Sequence, residues 1–152
     1  MLVAAFAAMA ASERLSSLES AFLALESRDV PFVHGCILEL EHPVATDALR
    51  ARLSASIAAI DRYRDTIVHG PLGRARWVPD ADFHIERHVH EATVDPPGER
   101  RDLEDLAARL LATHLSEAHP LWRVFNVRGL ADGRGALVAI VHPSLVGGIA
   151  GI

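Results

Sequence analysis

The chain of 152 residues has little of several features that would mark a specialised class of protein. Cys36 is its only cysteine, which excludes an internal disulfide and indicates a reducing compartment. Basic residues are outnumbered, with 15 Lys and Arg against 20 Asp and Glu, so the net charge is −5. Because no basic stripe with interleaved aromatic residues is present, nucleic-acid binding has little support. We therefore expect a cytoplasmic protein that binds no nucleic acid.

The chain also lacks a hydrophobic run long enough to cross a bilayer. Its most apolar stretch, MLVAAFAAMAAS at the N terminus, is too short for a span and lacks the basic flank of a secretion signal. We interpret residues 1–13 as an N-terminal extension, disordered or weakly helical, and expect the fold to begin near Arg14. A peripheral place at a membrane or lipid-droplet surface stays open as an alternative to a purely cytoplasmic one.

What remains is typical of one globular domain, since half of the residues are apolar and 23% are charged. Ser16 and Glu19 fit a capping box, which predicts a helix from there to about Glu26. Thr46 is a candidate N-cap for a second helix, which carries an apolar stripe at helical spacing. The stretch 99–115 has the clearest helical periodicity, with leucines on one face.

Strand patterns alternate with these helices along the chain. Alternating or continuous apolar residues predict strands over 33–41, 84–94, 122–127 and 136–141, with two short strands or a strand and a loop over 66–78. Asp132-Gly133 is typical of a hairpin turn, and the stretch 136–141 is apolar throughout, as in a central strand covered on both faces. The order of elements predicts a layered α/β (α+β) fold, a mixed sheet flanked by helices.

Three histidines and a glutamate recur at every second position of one predicted strand, namely His84, Glu86, His88 and His90. Such spacing resembles a metal site, but side chains at period two are spread over about 20 Å of strand, so one ion could contact only two of them. We expect a solvated strand face here and no metal site. The nearby Trp122, which follows Pro120-Leu121, is expected to be a core anchor at a strand entry.

His142 stands where the predicted central strand ends, before a turn that contains glycines. Open α/β folds place reactive groups at such strand ends, and glycine lets a ligand or another backbone approach closely. A catalytic histidine and a hydrogen-bonded structural histidine are both compatible with this position. Ser144 has no aspartate at an obvious spacing, so a Ser-His-Asp hydrolase has little support.

Several stretches, in order and at suitable separations, resemble the N-terminal half of the bacterial wax ester synthase/acyl-CoA:diacylglycerol acyltransferase family. They are RLSSLESAFLALESRDVPFVHG (14–35), WVPDADFHIERHV (77–89), HPLWRVFNVRGLADGRGALVAIVH (119–142) and the closing PSLVGGIAG. The resemblance implies the chloramphenicol-acetyltransferase-like fold of CoA-dependent acyltransferases, in which two similar subdomains meet at a tunnel. Residues 14–152 would then be the N-terminal subdomain, truncated at the motif loop.

In that family a strand ends in a His-His-x-x-x-Asp-Gly motif, whose second histidine takes the proton of an alcohol as it attacks the acyl-CoA thioester. The resemblance places His142 on the first histidine, Pro143 on the catalytic base, Gly147 on the aspartate and Gly148 on the glycine. Proline carries no titratable group, and Gly147 removes the carboxylate that holds the loop. His142 is thus the only remaining catalytic candidate of the motif. Loss of the base alone would remove about 3–5 kcal/mol of transition-state stabilisation.

The resemblance implies the N-terminal part of a long-chain O-acyltransferase that moves an acyl group from acyl-CoA to a diacylglycerol or a fatty alcohol, in triacylglycerol or wax ester synthesis. Acyl-CoA would be a co-substrate, and we expect no bound cofactor. The degenerate motif predicts that the chain is inactive alone. Two alternatives stay open: a non-catalytic half that assembles with a separate C-terminal polypeptide or with itself, and a gene remnant without function.

Overall fold

This computed structural model describes residues 12–27, 29–71 and 74–146. The α-helices of this part are α1 (Ser17–Leu25), α2 (Thr46–Ile57) and α3 (Arg100–Leu111), and short 3-10 helices cover Asp61–Arg64 and Ile85–Arg87. The strands are β1 (Glu13–Arg14), β2 (His34–Leu40), β3 (Asp65–His69), β4 (Ala75–Pro79), β5 (Val89–Thr93), β6 (Trp122–Arg128) and β7 (Gly135–Val141).

Two sheets organise these elements. A mixed four-stranded sheet has the order β2-β7-β6-β5, in which β5 runs parallel to β6 and the other neighbours are antiparallel. A smaller antiparallel sheet has the order β1-β4-β3. The central place predicted for β7 is confirmed, and so is the mixed sheet flanked by helices. The expectation that both faces of β7 are covered is wrong, because Leu137, Ala139 and Val141 are only half-buried.

The core lies between the four-stranded sheet and its helices. Helix α3 buries Leu103, Leu106 and Ala107, as its leucine spacing predicts. Alternate residues of β7, from Ala136 to Ile140, are also buried, because one face of a strand carries every second side chain. The apolar residues of the two elements belong to one hydrophobic cluster, and this packing fixes the direction of β7.

The two predicted helix starts have different outcomes. The capping box of α1 is confirmed, since Glu19 N–H donates to Ser16 Oγ (3.2 Å) and Ser16 N–H donates to the Glu19 carboxylate (2.5 Å). Thr46 is not an N-cap, because Ala45 occupies that position without a side-chain bond. The Thr46 hydroxyl instead donates to Glu91 and accepts from Asn126 Nδ2 (2.9 Å). The Thr46 hydroxyl therefore forms hydrogen bonds with residues of the sheet and does not cap its own helix.

The predicted strand over 84–94 is wrong in its first half. A 3-10 helix covers Ile85–Arg87, so the alternation of side chains breaks before β5 begins. His88 is only 2% exposed, and its ring stacks on Phe83 (5.1 Å between centroids) and Trp122 (4.5 Å). The solvated face expected for His84, Glu86, His88 and His90 therefore does not hold for His88, which is a core residue.

The N-terminal boundary also differs slightly from the expected one. Glu13 pairs with Trp77 in the small sheet, and Ser12 accepts hydrogen bonds from Arg76, so both belong to the fold and not to the extension expected over 1–13. Residues 1–11, and the motif positions Gly147 and Gly148, lie outside the described residues. Among the described residues, no helix is both long and apolar enough to cross a membrane.

Candidate functional site

A cavity of about 610 Å³ lies over the ends of β2, β6 and β7. Aromatic and aliphatic side chains dominate its walls, including Phe22 of α1 and Phe32 just before β2. The two rings stack with their centroids 5.8 Å apart and together form one part of the cavity wall. A concave, mostly apolar site of this volume is typical of a small-molecule binding site.

The floor of the cavity is one face of the four-stranded sheet. Strand pairing aligns two rows across β2, β7 and β6, and every member of both rows lines the cavity. Directly paired residues share a face of the sheet, as do residues two apart on one strand. The rows are His34–Val141–Trp122 and Cys36–Ala139–Val124.

Pro143 also lines this cavity, two residues after Val141 in the chain. The position that the resemblance assigns to the catalytic base therefore faces the cavity. The side chain found there has no proton acceptor and no N–H, so it cannot take a proton from a hydroxyl. The residue that lines the cavity at this position therefore supplies no group for acid–base chemistry.

His142 does not line this cavity and is 0% exposed, although its ring contacts the cavity-lining Phe32 edge-on at 6.1 Å between centroids. Its backbone N–H donates to Leu121 O (3.0 Å), and Ser144 N–H donates to Nδ1 (3.2 Å), with Ser144 Oγ 2.7 Å from the same nitrogen. Because Nδ1 accepts from Ser144, the proton of the neutral ring belongs on Nε2. Nε2 lies 3.6 Å from a Glu26 carboxylate oxygen, beyond hydrogen-bond distance.

Burial keeps His142 uncharged beside Glu26. Burial lowers the pKa of His142 to about 4, with a smaller lowering from the charge of His34 and an opposing influence of Glu117. Burial also raises the pKa of Glu26 above its ordinary value, although the nearby His114 opposes this. At neutral pH His142 is neutral and its acceptor nitrogen is occupied. The structure does not bring it into the cavity, and its catalytic role stays a prediction.

The buried His88, behind the cavity floor, holds Trp122 in place, and the sequence pattern did not reveal it. His88 Nδ1 lies 2.9 Å from Trp122 O, and the Trp122 indole donates to Tyr63 O (2.9 Å). The His119 ring approaches His88 edge-on, with His119 Nδ1 3.7 Å from Asp80 Oδ2. These contacts fix the indole that forms part of the floor. Aromatic residues flanking the histidine run, Phe83 above all, were the available signal.

His34 is the other site residue that the sequence reasoning missed. It is the one imidazole among the described residues that line the cavity, and its ring contacts Phe32 edge-on at 6.3 Å. Its neighbour two residues on, Cys36, lines the same cavity and is exposed. Among the described residues, no group of three His, Cys, Asp or Glu side chains is placed to hold a metal ion.

The match that identifies the family covers nearly the whole chain. Residues 15–152 match the wax ester synthase/diacylglycerol acyltransferase catalytic domain. This chain belongs to that family. The assignment agrees with the geometry, because the cavity and the strand exit that carries the degenerate motif both lie within the matched residues.

Several curated relatives of this chain come from mycobacteria. A probable diacylglycerol O-acyltransferase of Mycobacterium tuberculosis is 35% identical over 141 residues, which is 90% of this chain and 52% of the relative. A second one from the same organism is 32% identical over 141 residues and is covered to 30% of its length. The chain therefore spans about half, or less, of the length of these curated relatives.

Solved structures show the same fold. The wax ester synthase/diacylglycerol acyltransferase from Marinobacter aquaeolei VT8 superposes with a TM-score of 0.73 at 27% identity, over 90% of this chain and 34% of that one. The starter condensation domain of rhizomide synthetase, solved with C8-CoA, superposes with a TM-score of 0.72 at 11% identity, over 90% of this chain and 32% of that one. The fold is that of one part of a CoA-dependent acyltransferase or condensation domain.

Proposed function

We propose that this chain is the N-terminal part of a long-chain O-acyltransferase, which moves an acyl group from acyl-CoA to a diacylglycerol or a fatty alcohol. The observation that carries the proposal is the position of Pro143. In a member of this family, the residue at the base position lines an apolar cavity at the end of the central strand. Membership supports the reaction class, and the lining supports a long acyl chain as the bound group.

The cavity is suited to a hydrocarbon chain because aromatic and aliphatic side chains supply most of its surface. Each methylene that leaves water contributes about 0.8 kcal/mol, so a long chain gains more from such a wall than a short one. Both proposed acceptors are lipids, and the proposal accordingly includes contact with a membrane or lipid-droplet surface. Acyl-CoA acts here as a co-substrate.

We infer that the chain alone does not turn over substrate. Pro143 cannot act as general base, and His142 is buried with its acceptor nitrogen occupied. The chain also corresponds to 34% of the Marinobacter enzyme, so it supplies one wall of a cleft that positions two substrates. Without the facing wall, the contribution of proximity and orientation to the rate is lost as well.

A second candidate function is a non-catalytic half that assembles with a separate C-terminal polypeptide or with another copy of itself. The exposed apolar side chains of β2 favour it, since Leu38 is 56% exposed and Ile37 38%. Apolar side chains grouped at one sheet edge are typical of an interaction surface.

The binding of palmitoyl-CoA, measured by isothermal titration calorimetry, tests the proposed function. Phe22→Asp places a charge in the cavity wall without touching the buried core, because α1 has no buried residue. We expect this change to weaken binding about tenfold or more, since a charge is costly beside a buried chain. Leu18→Asp is the matched control on the same helix, and its side chain is exposed and does not line the cavity.

The two variants separate specific binding from general adhesion of a lipid. Weaker binding by Phe22→Asp and unchanged binding by Leu18→Asp would support an acyl chain in the cavity. Equal affinities for all three proteins, or no binding by the unmodified chain, would overturn the proposed ligand of this cavity.

A further inference from the structure

Strand β2 forms one edge of the four-stranded sheet, and only β7 pairs with it among the described residues. All seven residues of His34–Leu40 pair with β7 in unbroken register. A strand in unbroken register presents a straight row of backbone N–H and C=O groups on its other side. This outer row of β2 is available to another strand.

The usual protections of an edge strand are missing here. Natural edges carry a proline, a lysine, a bulge or a covering element that prevents pairing with another chain. The sequence HGCILEL contains neither proline nor lysine, and the unbroken register excludes a bulge. Leu111 of α3 lies against one face of the strand at Gly35, but His34 to Leu38 are exposed and no described strand lies along their outer edge.

Glu39 is the only Asp, Glu, Lys or Arg of the strand, and its carboxylate is already paired with arginines. Arg134 Nη1 lies 2.8 Å from its carboxylate and Arg100 Nη1 lies 3.6 Å away. The edge therefore presents apolar side chains without a net repulsive charge, which permits close approach of an identical edge.

We infer that β2 is the pairing edge of a symmetric dimer, in which β2 of a second copy runs antiparallel to it about a two-fold axis at Ile37. Ile37 is the middle residue of the strand, so this register alone pairs all seven residues. It sets Cys36 opposite Leu38 of the partner and Ile37 opposite Ile37 of the partner. The two four-stranded sheets then join into one continuous sheet.

The charge pattern of the strand selects a second copy in this register. The two-fold axis sets Glu39 opposite Gly35 of the partner, which has no side chain, and it keeps the two carboxylates apart. Directly opposed like charges, which destabilise strand pairs, are thereby avoided. Exposed apolar side chains meet exposed apolar side chains, Leu38 beside Cys36 of the partner and the reverse. A two-fold interface needs this self-complementarity.

The N-terminal stretch of the same chain is a poorer occupant of this edge. Its sequence MLVAAFAAMAA is dominated by alanine, which is depleted in strands. A second β2 offers Ile37 and Cys36-Leu38 in the extended conformation that pairing requires. Among strands available to an isolated chain, an identical copy of β2 is the better match.

Sedimentation equilibrium of the full chain over a range of concentrations tests the inference. We expect a monomer–dimer equilibrium for the unmodified chain. Leu38→Lys should raise the dimer dissociation constant at least about tenfold, because a lysine at the edge places a charge against the partner's apolar Cys36. Leu38 is largely exposed, so the change leaves the core intact.

Val68→Lys is the matched control, since Val68 is a 48% exposed valine on β3, an edge strand of the other sheet. It should dimerise like the unmodified chain. A strictly monomeric chain would overturn the inference, and so would dissociation by Val68→Lys instead of Leu38→Lys.

Cysteine cross-linking tests the register separately. The two-fold axis places position 37 about 4.5–5.5 Å from itself between Cα atoms, within the range that a disulfide spans. With Cys36→Ser to remove the native thiol, Ile37→Cys should form a disulfide-linked dimer on mild oxidation. Leu18→Cys in the same background, an exposed position on α1, should not. Equal cross-linking of the two, or none at position 37, would overturn the proposed register.

Discussion

The residues that follow β7 are of two kinds: some hold the end of the strand in place by hydrogen bonds, and others line the cavity. His142, Ser144 and Leu145 are buried and joined by hydrogen bonds to one another and to Leu121. Pro143, which is buried as well, and Val146 line the cavity instead. The buried residues hold the end of the strand together. At the position that the resemblance assigns to the base, the side chain carries no titratable group.

The contacts of His142 and Pro143 explain why the two can diverge. Of the two residues only Pro143 lines the cavity, whereas the hydrogen bonds of His142 go to Leu121 and Ser144, so a change at Pro143 alters the cavity and leaves those bonds in place. The hydrogen bonds that hold this turn therefore do not require a histidine at position 143.

The largest expected effect comes from removing a buried side chain of this turn. Leu145→Ala should lower the free energy of unfolding by about 2–5 kcal/mol, because Leu145 is 4% exposed and its loss leaves a hole in the core. Val146→Ala, on the cavity side, should cost less than about 1 kcal/mol. Urea unfolding measures both, and equal losses in the two variants would show that the two sides of the turn do not differ.

A smaller effect should appear as a dependence of stability on pH. Burial holds the pKa of His142 at about 4 in the folded chain, against about 6.5 when unfolded, so between these values only the unfolded state takes up the proton. The stability that the neutral ring supports is fully present above pH 6.5 and is lost as the pH falls. The contribution from pH 7 to pH 5 is about 2 kcal/mol.

His142→Asn tests this assignment because asparagine does not titrate. Urea unfolding at pH 7, 6 and 5 should show a shallower loss of stability for this variant than for the unmodified chain. The raised pKa of Glu26 works in the opposite sense, since its contribution grows on acidification, and it is common to both proteins. His42→Asn, at an exposed position, should keep the slope of the unmodified chain. Parallel pH profiles for all three proteins would contradict a buried neutral His142.

Local signals in the sequence were enough for the layered fold, the central β7 and the capping box of α1, because each depends on residues a few positions apart. His88 could not be placed in this way. The spacing of His84 to His90 suits a strand, but the 3-10 helix over Ile85–Arg87 interrupts the alternation of side chains between the two faces. Its burial depends on the ring of Trp122, which is distant in sequence.

The cavity depended even more on long-range pairing. His34 meets Val141 only because β2 pairs with β7, and no local pattern fixes that register. His142 and Pro143 are neighbours in sequence, but only Pro143 lines the cavity. Which of the two residues faces the cavity became visible only once the sheet and its helices were assembled.

The most direct test of the account is the release of free thiol from palmitoyl-CoA by the purified chain, with hexadecanol or a diacylglycerol as acceptor. We expect no release above a heat-killed control, either for the unmodified chain or for the double variant Pro143→His with Gly147→Asp, because the second wall of the cleft is missing in both. If the unmodified chain released thiol only when an acceptor is present, and His142→Ala released none, the inference that the chain alone is inactive would be wrong. Release by the double variant alone would show that one wall suffices for catalysis.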